Sequence, residues 1–305
     1  MEPRPYRDKR DFEKMLTLLV EGRRANSGTY YVHVGDVQWW LFYPNQEAGF
    51  SERIFLWEEG EALLGWCLLT PRQRVYDLFV HPSLLGSAET EALECWAEAR
   101  LTDMVKADGG TGIETDWIAE SDSARIESLT RRGYQAGGYS LNYFTRSLAD
   151  SIPAPPLPDG YTIRPSAGEG EAAERARASH SAFRSKWEWD KYMERRLSFM
   201  RSPVYENDRD MVVAAPGERI ASFCIYWLDE VNRIGLFEPV GTHPEFQGRG
   251  LGKALMSETL RRMKARGMES AMVCAETANP AANRLYESAG FKKQHRLLLF
   301  QKSLT

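Results

Sequence analysis

The sequence predicts an α/β protein with a mixed parallel and antiparallel sheet, built as two similar domains. Three observations carry that expectation. An apolar run over 234–240 leads through the turn 241–250 into a helical pattern from Leu251, so a strand, a glycine-rich turn and a helix follow one another. Four prolines fall in the ten residues from Ser151 to Gly160, a segment that can form neither a helix nor a central strand. Short stretches recur in the same order about 160 residues apart: His81-Pro82 and His243-Pro244, Gly133-Tyr134 and Gly290-Phe291, Phe144 to Leu148 and Phe300 to Leu304. The expected layout is therefore a first domain over 1–150, a linker over 151–159 and a second domain over 160–305.

Composition bounds the rest. A chain of 305 residues with 43% hydrophobic and 27% charged residues reads as an ordinary globular protein of two domains. A net charge of -4 argues against nucleic acid held on a broad basic face. The N-terminal residues are charged with no apolar segment behind them, and no run of 18 apolar residues occurs, so a cytoplasmic protein without membrane contact is expected. Cys67, Cys95, Cys224 and Cys274 stand singly, without zinc or disulfide spacing, and read as buried free thiols. No metal is expected, and His180 and His243 read as structural.

The second half can be taken in order. Tyr161 to Pro165 alternates and reads as a strand. Glu169–Phe183 and Trp187–Met200 read as helices. The stretches 209–215, 220–228 and 233–242 read as three strands joined by tight turns, hence an antiparallel meander. Pro239 has no N–H to give a central strand, so it predicts a bulge or an edge there. The helix from Leu251 turns Leu251, Ala254, Leu255 and Met263 inward and stops at Gly267. Ser270 to Ala275 is a short buried strand. Asn279 suits an N-cap and Pro280 the first helical position. Asn279, Asn283 and Tyr286 then share one helix face.

The turn into the Leu251 helix is a natural anion site, because amides at a helix start lack intrahelical partners and its glycines let a ligand approach the backbone. Lys253-Ala254 rules out a phosphate loop of the Walker type, and Gly248, Gly250 and Lys253 do not fit the dinucleotide-binding fingerprint. The order Gln247, Gly250, Gly252 resembles the pyrophosphate signature of the GCN5-related N-acetyltransferases. Asn279, Ala282 and Tyr286 followed by Gly290-Phe291 are similar to the second signature of that family.

The resemblance implies acetyl-CoA as co-substrate and an N-acetyltransferase of small-molecule or peptide amines, with the second domain active and acetyl passed directly. It implies that the loop Gln247, Gly248, Arg249, Gly250, Leu251, Gly252 and Lys253 takes the pyrophosphate. Val240, Gly241 and Thr242 would pair with the pantetheine arm beside a splayed, bulged strand, with Asn279 and Asn283 on the cofactor wall. Tyr286 is expected to protonate the leaving thiolate. Glu238, a carboxylate in an apolar strand, is expected to be the general base, because burial raises its pKa into a useful range. The family's acceptor side points to Phe183, Trp187, Trp189 and Tyr192, with Met193, Arg196 and Phe199 behind them.

The first half lacks this chemistry. Leu85, Ala88 and Thr90 stand where Gln247, Gly250 and Gly252 do, and Ile126 and Leu129 where Asn283 and Tyr286 do. It reads as a degenerate copy, with Trp39, Trp40, Trp57 and Trp66 serving core and interdomain packing. A tandem with a degenerate first half also resembles the layout of the mycothiol synthases. Antibiotic acetylation and a non-catalytic acetyl-CoA-binding module are the alternatives. Two copies in one chain imply a pseudo-dimeric monomer or a weak homodimer.

Overall fold

The computed structural model describes residues 2–26, 30–43, 50–154 and 157–304. The first half runs β1 (Arg4–Pro5), α1 (Lys9–Ala25), α2 (Val34–Phe42), β2 (Ile54–Glu59), β3 (Ala62–Thr70), β4 (Val75–Val80), α3 (Ala88–Ala107), β5 (Gly112–Ala119), α4 (Ser123–Arg131) and β6 (Gln135–Ser147). The second runs β7 (Thr162–Pro165), α5 (Ala172–Ala182), α6 (Trp189–Met200), β8 (Asp210–Ala214), β9 (Ile220–Asp229), β10 (Ile234–Thr242), α7 (Leu251–Ala265), β11 (Ser270–Glu276), α8 (Pro280–Ser288) and β12 (Lys292–Ser303). The element order is identical, so the echoes in the sequence mark a true structural repeat. Among the described residues of the proline-rich segment there is no helix or strand; Pro155 and Pro156 lie outside them.

All twelve strands join one sheet, in the order β1-β2-β3-β4-β5-β12-β6-β11-β10-β9-β8-β7. The last strand of each half has crossed over. β12 pairs with β5 of the first half, and β6 pairs with β11 of the second. The break in the sequence at the prolines is therefore not a break in space, because β12 lies between β5 and β6 of the first half and β6 lies between β12 and β11 of the second.

β9 shows how the sheet is covered. All ten of its residues are buried. Cys224, Tyr226 and Leu228 pack with α7, while Phe223, Ile225 and Trp227 face the opposite side with Ala178 and Phe199. On that opposite side the halves meet. Trp39 of α2 lies edge-on to Phe199 at 5.2 Å and stacks on Tyr43 at 4.0 Å. Trp57 and Trp66 are core residues of the first half. Gly35 packs so tightly on Trp227 that any side chain there would collide with the indole. His33 caps α2 through Gly35 N–H at 2.9 Å and meets the carbonyl of Ile234 in β10 at 3.0 Å. The start of α2 is thereby pinned against the strand that carries Glu238.

Cys67 and Cys224 are buried, as expected; Cys274 is only partly buried and Cys95 is exposed on α3. No helix among the described residues is long and apolar enough to cross a membrane.

Candidate active site

β10 and β11 run parallel only over Ile234–Leu236, opposite Ser270–Met272. The ladder to β9 then shifts register between Phe237 and Val240. Pro239 sits in that shift, which is the bulge its missing N–H predicts. Beyond it Val240, Gly241 and Thr242 pair with β9 alone, while Val273–Glu276 pair with β6 alone. The strands therefore part, and each offers a free backbone edge to the gap between them. Gly241 is required here because a side chain would strike the ring of Phe223.

The glycine loop closes one end of the gap. Gly248 and Gly250 have φ of 76° and 75°, the left-handed region that costs an ordinary residue about 1–2 kcal/mol. Neither has any heavy atom within 4 Å of where a Cβ would stand, so the space over the loop is open. Gly250 caps α7 without a side-chain hydrogen bond, which leaves the first-turn amides for a ligand. Gln247 donates to the Thr242 carbonyl at 3.1 Å and so ties the loop to the end of β10. Arg249 donates to the Tyr161 hydroxyl at 2.9 Å and to the Glu245 carbonyl at 3.2 Å, which holds its charge at the loop. Leu251 is buried in the core and Gly252 packs against Thr242 and Leu285. Lys253 lies in the first turn of α7.

Tyr286 stands on α8 with its ring against Phe144 at 5.8 Å and Phe291 at 6.3 Å. It is 6% exposed, and its hydroxyl bonds no other described residue. Burial holds that hydroxyl well above the ordinary phenol range, and the charge of Glu238 adds to the effect. Glu238 is half-buried. Burial pushes its pKa up to about 8, and the Asp36 carboxylate adds to the rise. Trp227 fixes the strand here by donating from Nε1 to the Glu238 carbonyl at 2.8 Å. Glu238 and the Cys274 thiol both act on the Tyr286 hydroxyl electrostatically, so the three lie near one another.

Asp36 is the residue that motif reading missed. It comes from α2 of the first half, where it accepts from His33 N–H at 2.8 Å in a capping box. Burial raises it to about 7. The signal available in the sequence was the His33-x-x-Asp36 cap itself, but nothing local aims that cap at β10.

The two asparagines hold the scaffold. Asn279 caps α8 through Ala282 N–H at 3.1 Å. Asn283 donates to the carbonyls of Glu276 at 3.0 Å and Asn279 at 2.6 Å, and accepts from Asn142 of β6 at 2.8 Å. The Asn283 side chain is engaged within the protein, between α8, β11 and β6, whereas Asn279 is exposed and uses only its oxygen, as the cap. The expected acceptor residues divide. Phe183, Trp187 and Trp189 are exposed. Phe183 meets Phe223 under Gly241, and Arg195 lies 3.8 Å over the Trp187 ring. Tyr192 is buried, its hydroxyl bonded to Ser179 at 2.9 Å. Arg196 is ion-paired to buried Asp210, which also accepts from Arg175 at 2.9 Å. His180 and His243 bond backbone groups of Trp187 and Glu245.

The model of the acetyltransferase (GNAT) family matches residues 174–291. The mycothiol acetyltransferase of Streptomyces scabiei is 31% identical, with 82% of this chain and 79% of that protein aligned. That of Nocardia farcinica is 30% identical over 82% of each chain. The fold as a whole is similar to a tandem GNAT protein from the clavulanic acid biosynthesis pathway, with TM-score 0.70, 13% identity and 99% and 97% of the two chains covered. It is also similar to a GCN5-related N-acetyltransferase from Sphaerobacter thermophilus, with TM-score 0.67, 18% identity and 99% and 95% covered.

Proposed function

The chain belongs to the GNAT family of acetyltransferases, enzymes that use acetyl-CoA, and from that premise we propose that its second half alone transfers acetyl directly to a primary amine of a small molecule. The observation that carries the reading is the parting of β10 and β11, with Glu238 in the bulged stretch of β10 and Tyr286 near enough to feel its charge.

Each part of the site has a task. The amides from Gly248 to Lys253 receive the pyrophosphate, and the free edge at Val240–Thr242 pairs with the pantetheine arm as an added strand. A backbone N–H of that edge polarises the thioester carbonyl. Glu238 takes a proton from the attacking amine as the new C–N bond forms. As the C–S bond breaks, the sulfur takes a proton from Tyr286. The two proton transfers assist each other. The negative charge of Glu238 makes Tyr286 a poorer acid, and that charge disappears when Glu238 takes the amine's proton. Phe183, Trp187 and Trp189 form an aromatic rim suited to the acceptor. Two sequence relatives are named mycothiol acetyltransferases, which supports an amine on a small polar molecule as the acceptor class.

The test follows release of free CoA thiol in the presence of acetyl-CoA and a panel of small primary amines. Amine-dependent release that falls in Glu238→Gln and Tyr286→Phe is expected. Tight acetyl-CoA binding with no release by any amine favours a non-catalytic binding module instead.

A further inference from the structure

The sheet is interrupted at one level across three neighbouring strands of mixed origin. The β5–β12 ladder stops at Leu298 opposite Ile118 and resumes at Phe300 opposite Thr115, which leaves Asp116, Trp117 and Leu299 outside it. The β12–β6 ladder skips at the same place, from Leu298 opposite Ser140 to Phe300 opposite Ala136, which leaves Tyr139 unpaired. Trp117 has φ of 60°, a left-handed conformation that a bulky residue holds only where its surroundings impose it. A cavity of about 540 Å³ opens at this level. Its volume suits a small organic ligand.

The lining has a definite chemistry. Trp40 of α2 and Trp117 lie 5.3 Å apart at a tilt of 38°, and both face the cavity with Tyr139. Asp77 of β4 is only 9% exposed. Its carboxylate accepts from no backbone N–H or amine of the described residues and faces the Asp116 carboxyl instead. One oxygen of Asp116 is likewise buried without a hydrogen bond. Glu114 adds a third carboxylate, which Arg74 reaches at 4.0 Å; Arg125 acts on Asp77 and Asp116 from outside the lining, which itself holds no Lys, Arg or His. Burial and mutual repulsion raise Asp77, and burial brings Asp116 to about 6. Buried carboxylates with unfilled acceptor positions are costly unless a donor or a cation meets them. Aromatic faces favour the same partner. The paired indoles beside the carboxylates favour an organic cation with a carbon skeleton to lie against them.

We propose that this cavity of the first half binds an organic ammonium ion, whose N–H groups meet Asp77 and Asp116 and whose carbon skeleton lies against Trp40 and Trp117. The lining of this cavity contains none of the residues assigned to acetyl-CoA or to the transfer step, and the proposal does not depend on the transfer reading.

The test is calorimetric titration of the full chain with 2-phenylethylammonium chloride, without acetyl-CoA. Saturable one-to-one binding is expected. It weakens at least about tenfold in the double variant Asp77→Asn, Asp116→Asn, which keeps shape and removes charge. Leu299→Lys, which places a competing cation at the wall, weakens it similarly and carries the test if the double variant does not fold. Glu238→Gln binds the probe within about twofold of wild type, which separates this cavity from the catalytic opening. Thermal unfolding curves report that each variant is folded. No saturable binding by wild type, binding that survives the cavity variants, or binding lost in Glu238→Gln overturns the proposal. The transfer reading is tested by thiol release and stands or falls apart from this result.

Discussion

The two halves share their punctuation and differ in their chemistry. His81 and His243 cap the same short turn, each accepting from the N–H two residues on at 3.3 Å. Gly133 and Gly290 both have φ of 87°. Tyr134 N–H meets the Leu129 carbonyl and Phe291 N–H the Tyr286 carbonyl, both at 3.0 Å. Leu129 and Tyr286 are therefore the same place in the fold.

The helix starts are another matter. In the first half Ser87 caps α3 through Thr90 N–H at 3.2 Å, and Glu89 and Glu91 fill the first turn. The cavity beside it holds Glu91, Glu94, Asp122 and Glu127 against Arg125 and Arg131. In the second half Gly250 leaves the helix start uncapped and no acid stands in the first turn. Residues the backbone needs are alike in both copies. Residues only a ligand needs survive in one. On the proposed reading, the residues that differ between the two copies are the ones a cofactor would need.

Five variants test that contrast, taken in falling order of effect with Ala88→Glu as the control for the first. Gly250→Glu should abolish acetyl-CoA binding, a loss of more than about a hundredfold, since it puts a left-handed strain and a negative charge where the pyrophosphate sits. Its first-half counterpart Ala88→Glu should leave affinity within about twofold. Equal losses would break the comparison. Tyr286→Phe should lower kcat by about a hundredfold with little change in acetyl-CoA affinity; unchanged kcat with chemistry rate-limiting would remove the acid role. Asp36→Asn should shift the alkaline rise of kcat/KM to lower pH by a fraction of a unit, because Glu238 loses a negative neighbour. A profile that stays put would confine the first half to packing.

The last concerns stability. Glu238 is raised from the usual carboxylate range to about 8 in the folded chain. Between those two values the folded state holds a proton that the unfolded state has released, so stability falls as pH rises through that window. Glu238→Gln removes this loss. Its Tm should equal the wild type's near pH 4.5 and exceed it by a few degrees above pH 8. Parallel Tm curves would mean Glu238 is solvated.

Much of the second half was legible because its signals are local. Pro239 announced the bulge, Gly250 and Gly252 the open turn into α7, and Asn279-Pro280 the start of α8. The strand exchange was not legible. β6 and β12 carry the same alternating pattern whichever neighbour they pair with, and only the assembled sheet puts Asn142 beside Asn283. The Asp36 contribution and the Asp77–Asp116 pair were hidden for the same reason. Each carboxylate looks like an ordinary cap or strand residue until a distant element buries it. Asn283 was only half legible: the sequence puts it on a polar helix face, while its bonds to Glu276 and Asn142 appear only once β11 and β6 are in place.

The central claim is that one half holds the cofactor and the other has given it up. Calorimetric titration of the whole chain with acetyl-CoA tests it most directly. The account predicts one site per chain, lost in Gly250→Glu. Two sites per chain, or a single site that survives Gly250→Glu, would contradict it.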